Sequence, residues 1–492
     1  MSISDNTIAP RDAEWRERLR ATRSAKERSA IPRVKMPELD PAYRVTTCAD
    51  EVNQGLSEEQ AVLEATRCLD CPDPQCTTGC PVSINIPGFI KNIERQDFSQ
   101  AAAVLKETSA LPAVCGRVCP QEKQCESRCI YHKMKKQPVA IGYLERFAAD
   151  RERLSGEHSV PAKAPSNGIK IAVVGSGPAG LSFAGDMAKR GFDVTVYEAL
   201  HEIGGVLKYG IPEFRLPNAV VDVEIDGLKA LGVEFVRNCV VGKTLSYDDL
   251  HAIGYRGIFV ASGAGLPRFM GIPGENYIGV LSSNEYLTRV NLMGAGRPGW
   301  DTPVLRGKRV AVIGGGNTAM DSVRTARRMG ADRAMIIYRR SEDEMPARIE
   351  EVKHAKEEGV EFLTLNNPIE YLADERGRVR AMRLQRMELG EPDESGRRSP
   401  VPVEGAIDEV EVDMVIVSVG VSPNPLIPDS INGLEVSRRG TIVVSEESMR
   451  SSLPDLYAGG DIVRGGATVI LAMGDGRRAA AGMAEALLGA AK

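Results

Sequence analysis

The chain has 492 residues, and its 62 basic and 67 acidic side chains leave a net charge of −5. That length predicts about three domains with sizeable cores, and the balanced charge argues against a nucleic-acid polyanion as main partner. No apolar run approaches the ~18 residues of a membrane span and the first ten residues (MSISDNTIAP) carry no signal-peptide core, so a cytoplasmic protein that binds neither membrane nor nucleic acid is expected.

Residues 1–46 are polar and rich in both charges, which reads as a solvated arm with one helix over 13–28, or else as an arm that docks a partner chain. Cys48 stands alone as an ordinary thiol. Ser57-Glu58-Glu59-Gln60 is a capping box that opens a helix reaching Cys68. Nine of the ten cysteines precede residue 130, and such clustering in a reducing compartment points to metal or cluster ligation rather than disulfides. Cys68, Cys71, Cys76 and Cys80 form one group, and Cys115, Cys119, Cys125 and Cys129 a second; each contains a Cys-Pro. The spacing approximates that of two-cluster ferredoxins, in which a cysteine of one run serves the other cluster. The competing reading, two Cys₄ zinc sites, sits poorly with a single C-x₂-C. Between the groups, residues 87–105 read as amphipathic helix, and residues 151–168, with Ser, Pro, Gly and charge but no periodicity, as a linker.

Residues 171–174 are short, apolar and β-branched, as a buried parallel strand requires. Gly175-Ser176-Gly177-Pro178-Ala179-Gly180 breaks the run, residues 181–190 are patterned as helix, and residues 193–197 read as a second strand ending at Glu198. This is the dinucleotide fingerprint: Gly175 permits the tight turn, Gly177 lets the backbone approach a pyrophosphate, and Gly180 lets helix and strand pack closely. The pyrophosphate then rests on the helix N-terminus, and Glu198 can accept from a ribose. The glycine-rich loop Gly204-Gly205-Val206-Leu207-Lys208-Tyr209-Gly210 can lie beside a planar ring system.

Residues 308–340 repeat the pattern, with Gly314, Gly316 and Ala319 at the fingerprint positions. Here Arg339 and Arg340 replace the acid. An acid would repel a ribose 2′-phosphate, whereas arginines bind it, so the first site suits FAD and the second NADPH. Near the C-terminus, residues 455–461 read as a strand and turn ending in Gly460-Asp461. A helix from about 467 to 488 follows; its N-terminus can stabilise negative charge on a reduced flavin. Segments 261–264 and 418–420 end apolar strands at plausible crossings between the two nucleotide units.

Together the cysteine runs, VVGSGPAGL, GGVLKYGIPEFRLP, VIGGGNTAMD, YRRSEDEMPA and YAGGDIVRGGATVI resemble the small (β) subunits of bacterial NADPH-dependent glutamate synthases over essentially the full length. More broadly they are similar to the iron–sulfur flavoproteins that include the N-terminal half of dihydropyrimidine dehydrogenase. The resemblance implies an α/β chain: a helical N-terminal iron–sulfur domain (1–155), then two Rossmann-like, glutathione-reductase-like nucleotide-binding domains. These are an FAD domain in two parts (169–290 and 411–492) and an inserted NADPH domain (291–410).

The same resemblance implies FAD contacts at Gly175, Gly177, Pro178, Ala179, Gly180, Glu198, Gly205, Leu207, Arg215, Gly460, Asp461 and Thr468. NADPH contacts fall at Gly314, Gly316, Asn317, Thr318, Arg339 and Arg340. Two interleaved 4Fe–4S clusters are implied, one on Cys68, Cys71, Cys76 and Cys129 and one on Cys80, Cys119 and Cys125. The fourth ligand of the second is Glu145, sixteen residues past the last cysteine, or its rival Cys115. The implied activity passes hydride from NADPH to the flavin, and single electrons then leave through the clusters to the large (α) subunit of a hetero-oligomer that makes L-glutamate from L-glutamine and 2-oxoglutarate. No catalytic acid or base is evident. The alternatives are an input module for another acceptor, such as a pyrimidine reductase or a ferredoxin-coupled transhydrogenase, and a redox sensor.

Overall fold

Ser57 Oγ accepts the Gln60 N–H while the Gln60 side chain accepts the Ser57 N–H, so the first long apolar face of the chain begins as the helix Glu58–Thr66. The structure, a computed structural model, describes residues 9–156, 160–394 and 396–489; residues 1–8, which carry most of the signal-peptide reading, and 157–159 of the expected linker lie outside the described residues. The stretch 87–105 is two helices rather than one, Ile86–Glu94 and Phe98–Thr108. Gln96 turns left-handed at φ +64°, and Asp97 then caps the second helix on the Gln100 N–H. Helices Pro112–Val118 and Ile141–Ser155 press together at Gly116, where a Cβ would stand 2.5 Å from the Arg146 backbone nitrogen. The latter helix runs to Ser155, so the linker starts at left-handed Gly156 and not at 151.

The N-terminal arm departs most from expectation. It holds helices Glu14–Ala21, Ala25–Ala30 and Pro41–Arg44, and it turns Arg16, Arg28 and Arg44 inward while Arg11, Arg18 and Arg23 stay exposed. Arg16 pairs with Asp70 at 2.6 Å and Arg28 with Glu94 at 2.6 Å, both in buried sites. Arg44 reaches Glu357, and Glu38 takes Lys353 at 3.0 Å, both across to the far nucleotide domain. A composition rich in charge reads as solvated only while each charge lacks a partner. Here the partners lie roughly 50 to 300 residues away in sequence.

Two parallel sheets of five strands follow. Their inner strands are short apolar runs buried on both faces, as helix-covered parallel sheets require, while the edge strands Glu234–Val236, Val280–Ser282 and Glu361–Thr364 are partly exposed. The first runs in the order Leu456–Ala458, Tyr255–Val260, Lys170–Val174, Asp193–Tyr197, Glu234–Val236. The second runs Val280–Ser282, Met414–Val417, Arg309–Ile313, Arg333–Tyr338, Glu361–Thr364. The chain crosses between them on the antiparallel pair Leu266–Pro267 and Val421–Ser422.

The inserted domain is therefore wider than 291–410: Val280–Ser282 and Met414–Val417 pair inside the second sheet, so both expected limits cut through it. A three-stranded antiparallel sheet, Asn366–Ala373, Val379–Pro392 and Arg398–Glu411, extends from this domain and was not anticipated. One continuous core runs from Phe89 and Val114 of the cysteine-rich module to Phe183 and Met473 of the first nucleotide domain, whereas the second sheet has cores of its own.

Candidate functional site: two nucleotide cradles and two cysteine groups

In the first cradle the strand Lys170–Val174 ends at Gly175, held at φ +103°; a Cβ there would stand 2.4 Å from Ala261 O. A Cβ at Gly180 would stand 2.0 Å from Gly175 O, so the helix Pro178–Lys189 lies directly on the turn. A Cβ on Gly177 meets nothing within 4 Å, which is the open face a pyrophosphate needs. Glu198, buried at the end of its strand, accepts from Ser176 N at 3.0 Å, Ser176 Oγ at 2.5 Å and Leu200 N at 2.8 Å. A carboxylate offers about four lone-pair sites, so capacity for a ribose hydroxyl remains.

Gly205 (φ +56°) lies so close to the turn that a Cβ on it would stand 3.0 Å from Gly177 Cα, and Leu207 is buried behind it. Gly460 abuts Ala179 across the sheet, and its N–H donates to the buried Asp475. Burial lifts the Asp461 carboxyl to about 6, and Thr468 Oγ1 accepts the Leu471 N–H at the start of the helix Val469–Gly489. Tyr209 was not singled out by sequence; burial foremost, then Asp461 and Glu198, push its hydroxyl up to about 12, which ties its ring to both acids. Arg215 pairs with Asp321 at 2.8 Å and Glu351 at 3.1 Å and so links the two nucleotide domains.

The second cradle repeats the first. Gly314 (φ +140°) would bring a Cβ to 2.3 Å from Ser418 O, a Cβ on Gly316 meets nothing within 4 Å, and the helix Asn317–Arg328 begins there. Ala319 is buried, Asn317 Oδ1 accepts the Arg348 N–H at 2.8 Å, and Thr318 C=O takes the Ser322 hydroxyl. The two arginines separate. Arg340 is buried, donating to Arg398 O at 2.8 Å and pairing with Asp393 at 2.5 Å. Arg339 is exposed and makes no ion pair among the described residues.

The cysteines fall into two groups that interleave in sequence. Cys76 lies in the electrostatic neighbourhood of Cys68, Cys71 and Cys129. Cys80, Cys119, Cys125 and Glu145 share a second one with Cys115. Cys71, Cys76 and Cys129 are half-buried, whereas Cys115, Cys119 and Cys125 are buried. A single tetrahedral zinc with bonds of about 2.3 Å would draw its sulfurs to roughly 3.8 Å of one another. Among the described residues no three of these sulfurs lie within 4.8 Å of one another, a spread that suits a multi-iron cluster better than one ion. Glu145 Oε1 is buried with no hydrogen-bond partner, and burial, with Glu224 nearby, raises this carboxyl to about 8. A carboxyl stranded beside three cysteines fits a metal-ligand role. Cys115, by contrast, already has sulfur partners in Cys119 and Met473. Cys48 is half-buried, and burial raises its thiol, as an unreactive cysteine requires.

Residues 169–476 match the family described as pyridine nucleotide-disulphide oxidoreductase, and residues 44–157 that described as dihydropyrimidine dehydrogenase domain II, 4Fe-4S cluster. The chain is 37% identical over 440 residues to the glutamate synthase (NADPH) small chain of Escherichia coli (strain K12), covering 88% of this chain and 93% of that protein. It is 36% identical over 457 residues to the one from Azospirillum brasilense (91% and 94%). It is 40% identical over 428 residues to the NADP(+)-dependent formate dehydrogenase subunit beta of Moorella thermoacetica, covering 82% of this chain and 59% of that one. Among solved structures, FprA of Mycobacterium tuberculosis in complex with NADPH shares the fold, with a TM-score of 0.56 at 21% identity over 66% of this chain and 86% of that one. No described helix is long and apolar enough to cross a membrane.

Proposed function

The chain belongs to the glutamate synthase small-chain family, and from that premise we propose that it draws electrons from NADPH on behalf of a large (α) subunit that makes L-glutamate from L-glutamine and 2-oxoglutarate. It is an NADPH-linked iron–sulfur flavoprotein oxidoreductase by its family and by the two domains that it joins. The observation that carries the reading is that both nucleotide cradles and both cysteine groups are held in one chain, with the second cysteine group packed on the helix that starts beside the first cradle.

When bound, FAD would supply the exchange between a hydride pair and single electrons, and two 4Fe–4S clusters would supply one-electron carriers. The chain's own residues do the rest. The open Gly177 face and the free N–H groups of the helix behind it would take the FAD pyrophosphate, with Glu198 on the ribose and Asp461 and Thr468 at the other end of the cradle. Gly316, Asn317 and Thr318 would do the same for NADPH, with Arg339 on its 2′-phosphate. Cys68, Cys71, Cys76 and Cys129 would hold one cluster, and Cys80, Cys119, Cys125 and Glu145 the other. Hydride transfer needs alignment more than proton movement, so no side chain is required as general acid or base.

The purified chain should oxidise NADPH with a neutral dye yet form no glutamate from glutamine and 2-oxoglutarate, and added large subunit should restore glutamate formation. Glutamate made by the isolated, homogeneous chain would overturn the reading. The 40% identity to a formate dehydrogenase subunit favours a second reading, an input module for another acceptor; identifying the protein that co-purifies with the chain separates the two.

A further inference from the structure

Met473 and Gly474, in the first turns of the helix Val469–Gly489, touch the cysteine module at two adjacent points. A Cβ on Gly474 would stand 2.9 Å from the carbonyl oxygen of Pro81, the residue after Cys80. Met473 Sδ lies 3.5 Å from Cys115 Sγ, and both side chains are fully buried. The Met473 carbonyl accepts the Ser182 hydroxyl at 3.0 Å, and Ser182 sits on the helix that begins at the first nucleotide cradle. On its other side lies Cys119, four residues on and so on the same helix face, with its N–H donating to Cys115 C=O at 3.2 Å; it is the foremost neighbour that keeps the Cys115 thiol protonated.

The Cys115 S–H is thus flanked by two sulfurs, the Met473 thioether to which it donates in the metal-free chain and the Cys119 sulfur one helical turn on. A thioether is a weak acceptor, whereas a metal-bound thiolate is charged and draws the proton more strongly. We propose that Cys115 is not a ligand of the second cluster but a positioning residue, which donates its S–H to the Cys119 sulfur while Met473 holds the thiol and ties that cysteine group to the flavin-side helix. The inference rests on the reading of Cys80, Cys119, Cys125 and Glu145 as ligands. A hydrogen bond to a ligand sulfur favours the more negative, reduced form and so raises the cluster's potential, and the dry site strengthens it.

The test uses the full-length holoprotein with Cys115→Ala, Cys115→Ser and Met473→Leu. Iron and acid-labile sulfide per chain are measured, and both cluster potentials are taken from a redox titration followed by the reduced-cluster paramagnetic spectrum. All three variants should keep their iron. Cys115→Ala should lower one potential only, making reduction of that cluster about tenfold less favourable (59 mV for one electron). Cys115→Ser, which keeps a donor, should recover most of the shift. Met473→Leu leaves Cys119 as the remaining sulfur acceptor and should move the potential upward or not at all. Loss of half the iron in Cys115→Ala would make Cys115 a ligand and overturn the ligand reading itself. Retained iron with both potentials unmoved, or a fall in Met473→Leu as large as in Cys115→Ala, would overturn the positioning role and leave the ligands standing.

Discussion

In each nucleotide cradle the first glycine presses on the residue that follows a neighbouring strand, Gly175 on Ala261 O and Gly314 on Ser418 O, and the second leaves an open face. From there the cradles part. The third position is Gly180 in one, where a Cβ would meet backbone at 2.0 Å, and a buried alanine, Ala319, in the other. The second strand ends in a buried acid held by Ser176 in the first cradle, and in a split pair of arginines in the second. The shared part is what any pyrophosphate on a helix N-terminus demands of the backbone. The unshared part is the third position, set by how closely the helix lies on the turn, and the side chains that end the second strand, which the backbone leaves free and which would tell the two proposed nucleotides apart.

The most severe way to break this comparison is to give the first cradle the third residue of the second. Gly180→Ala drives a methyl into Gly175 O, a backbone atom that cannot swing aside, so overpacking of about 1–3 kcal/mol should be accompanied by loss of most bound FAD. The flavin-to-protein ratio and Tm report both. The mirror change, Ala319→Gly, should leave NADPH binding in place and cost about 1 kcal/mol of helix stability.

Next in size is the arginine pair. Arg339→Ala should raise the KM for NADPH about 10- to 100-fold, as loss of a charged hydrogen bond worth roughly 1.5–3 kcal/mol requires, with the KM for NADH unchanged. Arg340→Ala should change that ratio less and lower Tm instead, because its guanidinium is already committed to Asp393 and the Arg398 carbonyl. Steady-state kinetics with both nucleotides check this, and the opposite order would exchange the two roles.

The smallest effect sharpens the acid end of the first cradle. Burial raises the folded-state pKa of Asp461 to about 6, above the ordinary carboxylate range. The folded apoprotein therefore keeps a proton that the unfolded chain has released, and the resulting stability is present below about pH 4, falls as pH rises, and is gone above about pH 6. Asp461→Asn removes the dependence. Its Tm should exceed that of the wild-type apoprotein by more at pH 7.5 than at pH 5, the gap between the two pH values corresponding to on the order of 1 kcal/mol of stability. Parallel Tm curves for the two proteins would show that this carboxyl does not feel its burial.

The fingerprints were legible because their signal is local: a turn that only glycine fits and a strand that only apolar residues fill lie within thirty residues. That a cysteine of one run serves the other group was suggested by the spacing, but which cysteine came only with the resemblance, since Cys129 lies 53 residues beyond Cys76. The inward-facing arm escaped notice because Arg44 and Glu357 announce nothing until folding brings them together. The insertion limits were misplaced for a similar reason: Val280–Ser282 is a three-residue strand, below the length at which apolar runs stand out, and only its pairing assigns it to a sheet. The contact of Met473 with Cys115 spans 358 residues and is invisible to any motif.

The strand order of the first sheet also dictates a schedule for biosynthesis. Leu456–Ala458 closes that sheet against Tyr255–Val260, and roughly 200 residues separate the two strands, so at about 5–20 residues per second the ribosome needs on the order of 10–40 s to supply the closing strand. Throughout that interval the nascent sheet presents an unpaired edge, the kind of surface that invites mispairing with other chains. The helix that covers the second cysteine group emerges later still. That side of the group therefore stays uncovered until the residues around Met473 have left the tunnel.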